Sequence, residues 1–215
     1  QAAWRVLTLP PLPQRYLEAA ALREGQRLMP ATEGVYRSWG VLGGGGAEPW
    51  QVYALLVPRA PLYTFVRGLD QAGLRPQVVD LHGLAVVRAA HHRDCIAVHA
   101  GDEGVEIAIA VGGLPLVVRS TLWAAMLGAG AAAQRVMEEL ERALRIAQIE
   151  FPSRPLPAAA PVVLSGALAH REDLRHSLEA TGRSVVAPQI GVRCPADRGI
   201  ELLASGIGCS LCGAA

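Results

Sequence analysis

The stretch Cys95–Arg119, CIAVHAGDEGVEIAIAVGGLPLVVR, leaves this chain few folds to choose from. Two apolar runs, Ile96–Ala100 and Val105–Val111, are separated by the turn Gly101–Gly104. A third run, Leu114–Arg119, follows the Gly112-Gly113 pair. Valine and isoleucine recur at every second position (Val105, Ile107, Ile109, Val111), and glycine clusters bound the runs, so the pattern predicts three strands. Turns this short join neighbours that run antiparallel, which makes the stretch a meander.

Beyond Arg119 the periodicity changes. A helix is predicted to reach Phe151, with Val136, Leu140, Ala143, Leu144 and Ala147 on one face and Glu138–Arg142 and Glu141–Arg145 as i,i+4 pairs on the other. Pro152, Pro155 and Pro157 end it. A buried strand is expected at Pro161–Leu164, a helix over His170–Ala180, a short strand at Ser184–Ala187 and a closing helix from about Asp197 carrying Ile200, Leu203, Ala204 and Ile207.

Ahead of the meander, Trp4–Leu9 is a strand candidate, followed by a helix from about Gln14 to Met29 that Pro30 stops. Val35–Leu42 and Gln51–Val57 are strand candidates flanking a Gly43–Gly46 hairpin tip. Pro61 opens a helix whose Leu62, Phe65, Val66, Leu69 and Ala72 form an apolar stripe, and Pro76–Leu81 is a fourth strand candidate. That order is βαββαβ, a split-βαβ or ferredoxin-like unit. Leu84–His91 is then a connecting helix with Asp80 as its N-cap. The expected division is a ferredoxin-like unit over residues 1–81, a connection over 82–94, and a second domain over 95–215. Three antiparallel strands leading into alternating helix and strand give that second domain the layout of an RNase-H-like half of an actin-fold ATPase, an α+β and α/β combination.

Composition removes several functions. All 20 basic residues are arginine, and the chain has neither lysine nor asparagine. Lysine-dependent P-loop, Schiff-base and pyridoxal chemistry are therefore excluded, as is N-glycosylation. A net charge of +1 offers no electrostatic case for nucleic acid or direct membrane attachment. No apolar run approaches the roughly 18–20 residues that span a bilayer. Cys209-Ser-Leu-Cys212 is a CxxC, but with Cys194 as its one neighbour it reads as incidental thiols, not as a zinc site. His91, His92, Asp94 and His99 diverge along the chain and do not form a metal cluster. Asp80 and Asp94 have no fixed separation for acid–base work, and Ser165 lacks the G-x-S-x-G elbow of a serine nucleophile.

Four strings in order carry a resemblance: Leu9–Pro30, Ala72–Ala90, Arg119 at the end of the third strand, and Leu164–Pro188 with its Leu-Ser-Gly turn. Together they resemble the PilM family, the actin-like proteins of type IV pilus assembly. The resemblance implies a nucleotide site with Gly101 and Gly104 at the second phosphate turn and Ser165 and Gly166 at the adenosine turn, a first phosphate loop preceding residue 1, and ATP with Mg²⁺ as ligand in a complete form. His99, Ala100 and Gly101 stand where the family reads Asp-Ile-Gly, and Ala167 replaces the second glycine of the adenosine turn. A histidine does not replace a hard oxygen ligand of Mg²⁺, and Asp102 and Glu103 at the tip repel phosphate. The expectation is accordingly a degenerate site, no ATP turnover and no bound cofactor. The function implied is that of a cytoplasmic scaffold, peripheral to the inner membrane, which holds the cytoplasmic N-terminal tail of a pilus or type II secretion membrane partner. The resemblance leaves oligomerisation open. The alternatives are a working actin-like ATPase or an FtsA-like cell-division protein. Trp4, Tyr16, Tyr36, Trp39, Trp50, Tyr53, Tyr63 and Phe65 make the first unit the expected peptide-binding face, with Tyr53 and Phe65 expected in its core.

Overall fold

Alternating β-branched runs and glycine turns give two separate sheets in the computed structural model, which describes residues 3–28, 34–123 and 129–189. The chain divides into two compact units, Gln1–Val79 and Asp80–Ala215.

In the first unit, β1 (Ala3–Leu9) leads through a single 3-10 turn to α1 (Leu17–Leu28). β2 (Val35–Gly45), β3 (Glu48–Pro58) and α2 (Arg59–Gln71) follow. The sheet is antiparallel in the order β1-β3-β2. Period-2 alternation places Leu7, Leu9, Val52 and Ala54 on one face, where Leu17 and Ala21 of α1 close the core. Trp39 and Trp50 pack at its margin, and the Trp50 indole N–H donates to the Leu12 carbonyl at 2.9 Å. On the other face Trp4 stacks on Tyr53 with ring centroids 4.6 Å apart.

Two expectations for this unit are corrected. Residues 76–81 form no strand: Val78 and Val79 are 59% and 51% exposed. The Leu81 carbonyl accepts from the amides of Leu84 and Ala85, and Asp80 pairs with Arg88, so the end of the segment is drawn into the start of the next helix. The α2 stripe is not a core stripe either. Leu62, Val66 and Leu69 are half-buried and Phe65 is 61% exposed, because α1 already fills the sheet's apolar face.

The second unit opens with α3 (His82–Ala90), which leads into the meander and packs on its sheet. Its N-cap is Leu81, not Asp80, whose Oδ1 accepts from the Leu81 amide at 2.8 Å. It ends at His91, which turns into the left-handed region at φ 53°. β4 (Cys95–Ala100), β5 (Gly104–Val111) and β6 (Leu114–Leu122) form the meander. α4 (Ala129–Glu150), β7 (Val162–Ser165), α5 (Glu172–Glu179) and β8 (Val185–Val186) complete the described residues. The sheet order is β6-β5-β4-β7-β8, antiparallel within the meander and parallel from β4 to β7 and β8. That topology is RNase-H-like. The closing helix expected from Asp197 and the cysteines at 194, 209 and 212 lie outside the described residues.

Residue size decides which helix takes which face. Cys95, Ala97, Ala108 and Ala110 share the face that packs against Val86 and Ala90 of α3, and small side chains on both surfaces let the helix approach. Gly83 is part of this: a Cβ there would stand 2.9 Å from Val118. Ile96, Val98, Ile107 and Ile109 point the other way and are fully buried, each worth roughly 1.5–3 kcal/mol. Arg119 lies opposite Ile107 and so shares this face, where it donates to Glu139 of α4 at 3.0 Å. Burial pushes the Glu139 carboxyl up, but hydrogen bonds from Arg119 and Thr121 and the charges of Arg119 and Arg142 hold it below its usual range. Along α4 the pairs are the exposed Arg135–Glu138 and, from the buried Glu139, Glu139–Arg142, both at i,i+3, in place of the i,i+4 pairs expected.

Candidate functional site

Glu106 and His99 are register partners on β5 and β4, and alternation puts both on the α3 side of the sheet. His82, the first residue of α3, meets them there. Its Nδ1 lies 3.0 Å from Glu106 Oε2, and its ring stands edge-on to His99 at 4.3 Å. The parallel register β4–β7 sets Ser165 beside His99, with the His99 Nδ1 3.1 Å from the Ser165 hydroxyl. Ser165 is wholly buried and donates to the Val98 carbonyl at 3.4 Å. Its oxygen is thereby left to accept from His99 Nδ1–H. Burial, and then the neighbouring His82, lower the His99 pKa to about 4, against a smaller opposing pull from Glu106. The imidazole is neutral near pH 7 and serves as a fixed hydrogen-bonding group.

The Gly101–Gly104 turn closes on itself. Gly101 N–H donates to the Gly104 carbonyl at 2.9 Å, and the Trp123 indole and backbone amides donate to the carbonyls of Asp102 and Glu103 at 2.7 and 3.0 Å. Gly104 is required by the sheet, since a Cβ would sit 2.5 Å from the Thr121 carbonyl oxygen; at Gly101 the nearest atom would be 3.7 Å away. Gly166 has φ +96°, and a Cβ there would collide with the Ala100 carbonyl, 2.7 Å from its carbon. Leu168 N–H donates to the same carbonyl at 2.9 Å. The four glycine and serine positions singled out from sequence thus converge on the end of β4, and Gly104, Ser165 and Gly166 make close contacts within the protein.

A cavity of about 400 Å³ opens beside the turn, lined by His82, His99, Asp102, Glu103, Glu106 and Ser120 among others. Its walls carry carboxylates and imidazoles, and none of its lining residues among those described is an arginine. The Arg119 guanidinium is directed at Glu139 instead. This donor set does not fit the phosphates of a nucleotide. No group of three or more His, Cys, Asp or Glu among the described residues is placed to hold a metal ion. The role of His82 as Glu106's partner was not anticipated from sequence; the signal available was a histidine opening the helix that precedes an acid on the matching strand face.

The first unit offers a different surface. A groove of about 580 Å³ runs between β1 and α1, lined by Leu7, Leu9 and Leu12 on one side and by Ala19, Ala20 and Arg23 on the other. Of the unit's aromatics, Tyr16, Tyr36, Tyr63 and Phe65 are exposed, whereas Trp4 is buried. Tyr36 and Tyr63 share a 2.8 Å hydrogen bond between their hydroxyls, with the Arg59 guanidinium over the Tyr36 ring. No helix among the described residues is long and apolar enough to cross a membrane.

No protein-family model matches the sequence, and no curated protein does. Solved structures do. The PilM–PilN type IV pilus biogenesis complex contains a chain that superposes with a TM-score of 0.74 at 20% identity, over 100% of this chain and 77% of that one. The ethanolamine utilization protein EutJ from Carboxydothermus hydrogenoformans matches 67% of this chain and 58% of its own length, with a TM-score of 0.44 at 17% identity. A diol dehydratase-reactivating factor in nucleotide-free form matches 91% of this chain and 48% of its own length, with a TM-score of 0.47 at 12% identity. The chain is PilM-like in fold, an actin-type architecture with an RNase-H-like sheet.

Proposed function

We propose that this protein is a scaffold of a type IV pilus or type II secretion platform, cytoplasmic and held at the inner membrane by a partner protein whose cytoplasmic tail it binds on its first unit. It does not turn over ATP. The observation that carries this reading is the lining of the second unit's cavity: two histidines and three carboxylates with, among the described residues, no arginine to pair with the phosphates that phosphoryl transfer must hold. Likeness in fold to a chain from the PilM–PilN complex supports the pilus setting and a PilN-like partner. Aromatics and an apolar groove on the first unit support the location, since such groups anchor peptide contacts.

The test is calorimetry on the full chain with synthetic cytoplasmic tails of single-span inner-membrane proteins encoded in the same genome, alongside a phosphate-release assay. One tail is expected to bind in the micromolar range, with phosphate release at the level of the blank. Mg²⁺-dependent turnover that disappears in Glu106→Gln or Asp102→Asn would overturn the reading in favour of a working ATPase.

A further inference from the structure

β1 has one hydrogen-bonded neighbour, β3, and among the described residues its other edge is unpaired. The two edges of this sheet are not alike. At β2 the register slips between Val41 and Gly43 and again between Gly43 and Gly45, with Gly44 and Gly45 at positive φ. Bulges and glycines of this kind blunt an edge against further pairing. At β1 the register runs without a shift from Ala3 to Leu9, so its outer side presents a regular row of backbone donors and acceptors.

That edge borders the 580 Å³ groove, whose floor is apolar (Leu7, Leu9, Ala20) and whose rim carries Arg23. Glu24, the one acid lining the groove among the described residues, accepts from Arg27 at 3.0 Å and not from Arg23. Backbone groups, an apolar floor and a cation with no carboxylate partner among the described residues together define an occupant. It is an extended chain with apolar side chains at every second position and a carboxylate that reaches Arg23. In a split-βαβ unit the fourth strand takes this place beside the first, and residues 76–81 do not supply it here.

We infer that the open edge of β1 receives an extended, acid-bearing segment of a partner protein as an added fourth strand. This rests on the scaffold reading for the existence of a partner tail and adds how the tail is held: main-chain pairing gives affinity, and the groove and Arg23 give selectivity.

The test uses the full chain and fluorescein-labelled eight-residue peptides of alternating valine and threonine with one aspartate, read by anisotropy to millimolar concentration. Two control peptides carry lysine for the aspartate or N-methyl groups on alternate amides. The aspartate peptide is expected to bind at least fivefold more tightly than the lysine peptide, and the N-methylated one at least tenfold more weakly. Arg23→Glu, at an exposed helix position, is expected to reverse the aspartate–lysine order, and Ala19→Trp to block both, with circular dichroism unchanged. Absence of binding, equal binding of the N-methylated peptide, or an order unaffected by Arg23→Glu would overturn the inference. A natural tail that binds the full chain equally well in both variants would also overturn it, while leaving the scaffold reading standing.

Discussion

The edge of β1 and the turn after β4 both present backbone groups at the surface of their units, and they differ in where their hydrogen bonds go. At the turn, the carbonyls of Ala100, Asp102, Glu103 and Gly104 are taken by Leu168, Trp123 and Gly101. At β1, the outward groups have no partner strand among the described residues. A glycine at such a turn can serve packing instead of an anion. Two of the three here are glycines because another backbone passes too close for a Cβ, and accounting for each polar group of the main chain decides what is left to bind.

The sharpest way to break this contrast is Gly166→Val. A side chain at φ +96° against the Ala100 carbonyl combines backbone strain with overpacking, so the ligand-free protein should lose roughly 3–5 kcal/mol by urea denaturation. A variant as stable as the parent would mean that Gly166 is reserved for a ligand and not for the fold.

A smaller effect is expected from pH. The His99 pKa falls from an unfolded value near 6.5 to about 4, so protonation favours the unfolded chain. Stability should be fully present above pH 6.5, decline as pH falls toward 4 by on the order of 2–3 kcal/mol, and change no further from this group below that. His99→Gln, which can keep a hydrogen bond to Ser165, should flatten this part of the pH profile. An unchanged slope would place the titrating group elsewhere.

The smallest effects separate the two glycines of the turn. Gly104→Ala should cost about 1–3 kcal/mol, since the Thr121 carbonyl must move, whereas Gly101→Ala should stay within about 0.5 kcal/mol. Thermal melts of the pair would show whether Gly101 has any structural duty.

The meander was legible because valine and isoleucine alternate between glycine pairs, and every residue of that pattern reports on its own neighbours. Pro76–Leu81 misled because β-branched residues signal an extended chain but not a partner, and Asp80 and Leu81 are committed to α3. Phe65 misled for a related reason: its helix has an apolar stripe, but the sheet face it would need is occupied by Leu17 and Ala21. In the candidate site, the position of the turn could be read from local residues. The packing of Gly166 on Ala100, the pairing of His82 with Glu106 and the capture of Arg119 by Glu139 join residues 20 or more apart in sequence, and nothing local encodes them.

Amide NMR of the full chain, titrated first with Mg–ATP and then with the partner's tail peptide, tests most directly the claim that binding belongs to the first unit and not to the turn of the second. No shifts are expected from nucleotide at Gly101–Glu106 or Ser165–Leu168, and the tail is expected to induce shifts and amide protection along Ala3–Leu9 and α1. Saturable nucleotide shifts at the turn, or tail-induced shifts confined to residues 80–189, would contradict it.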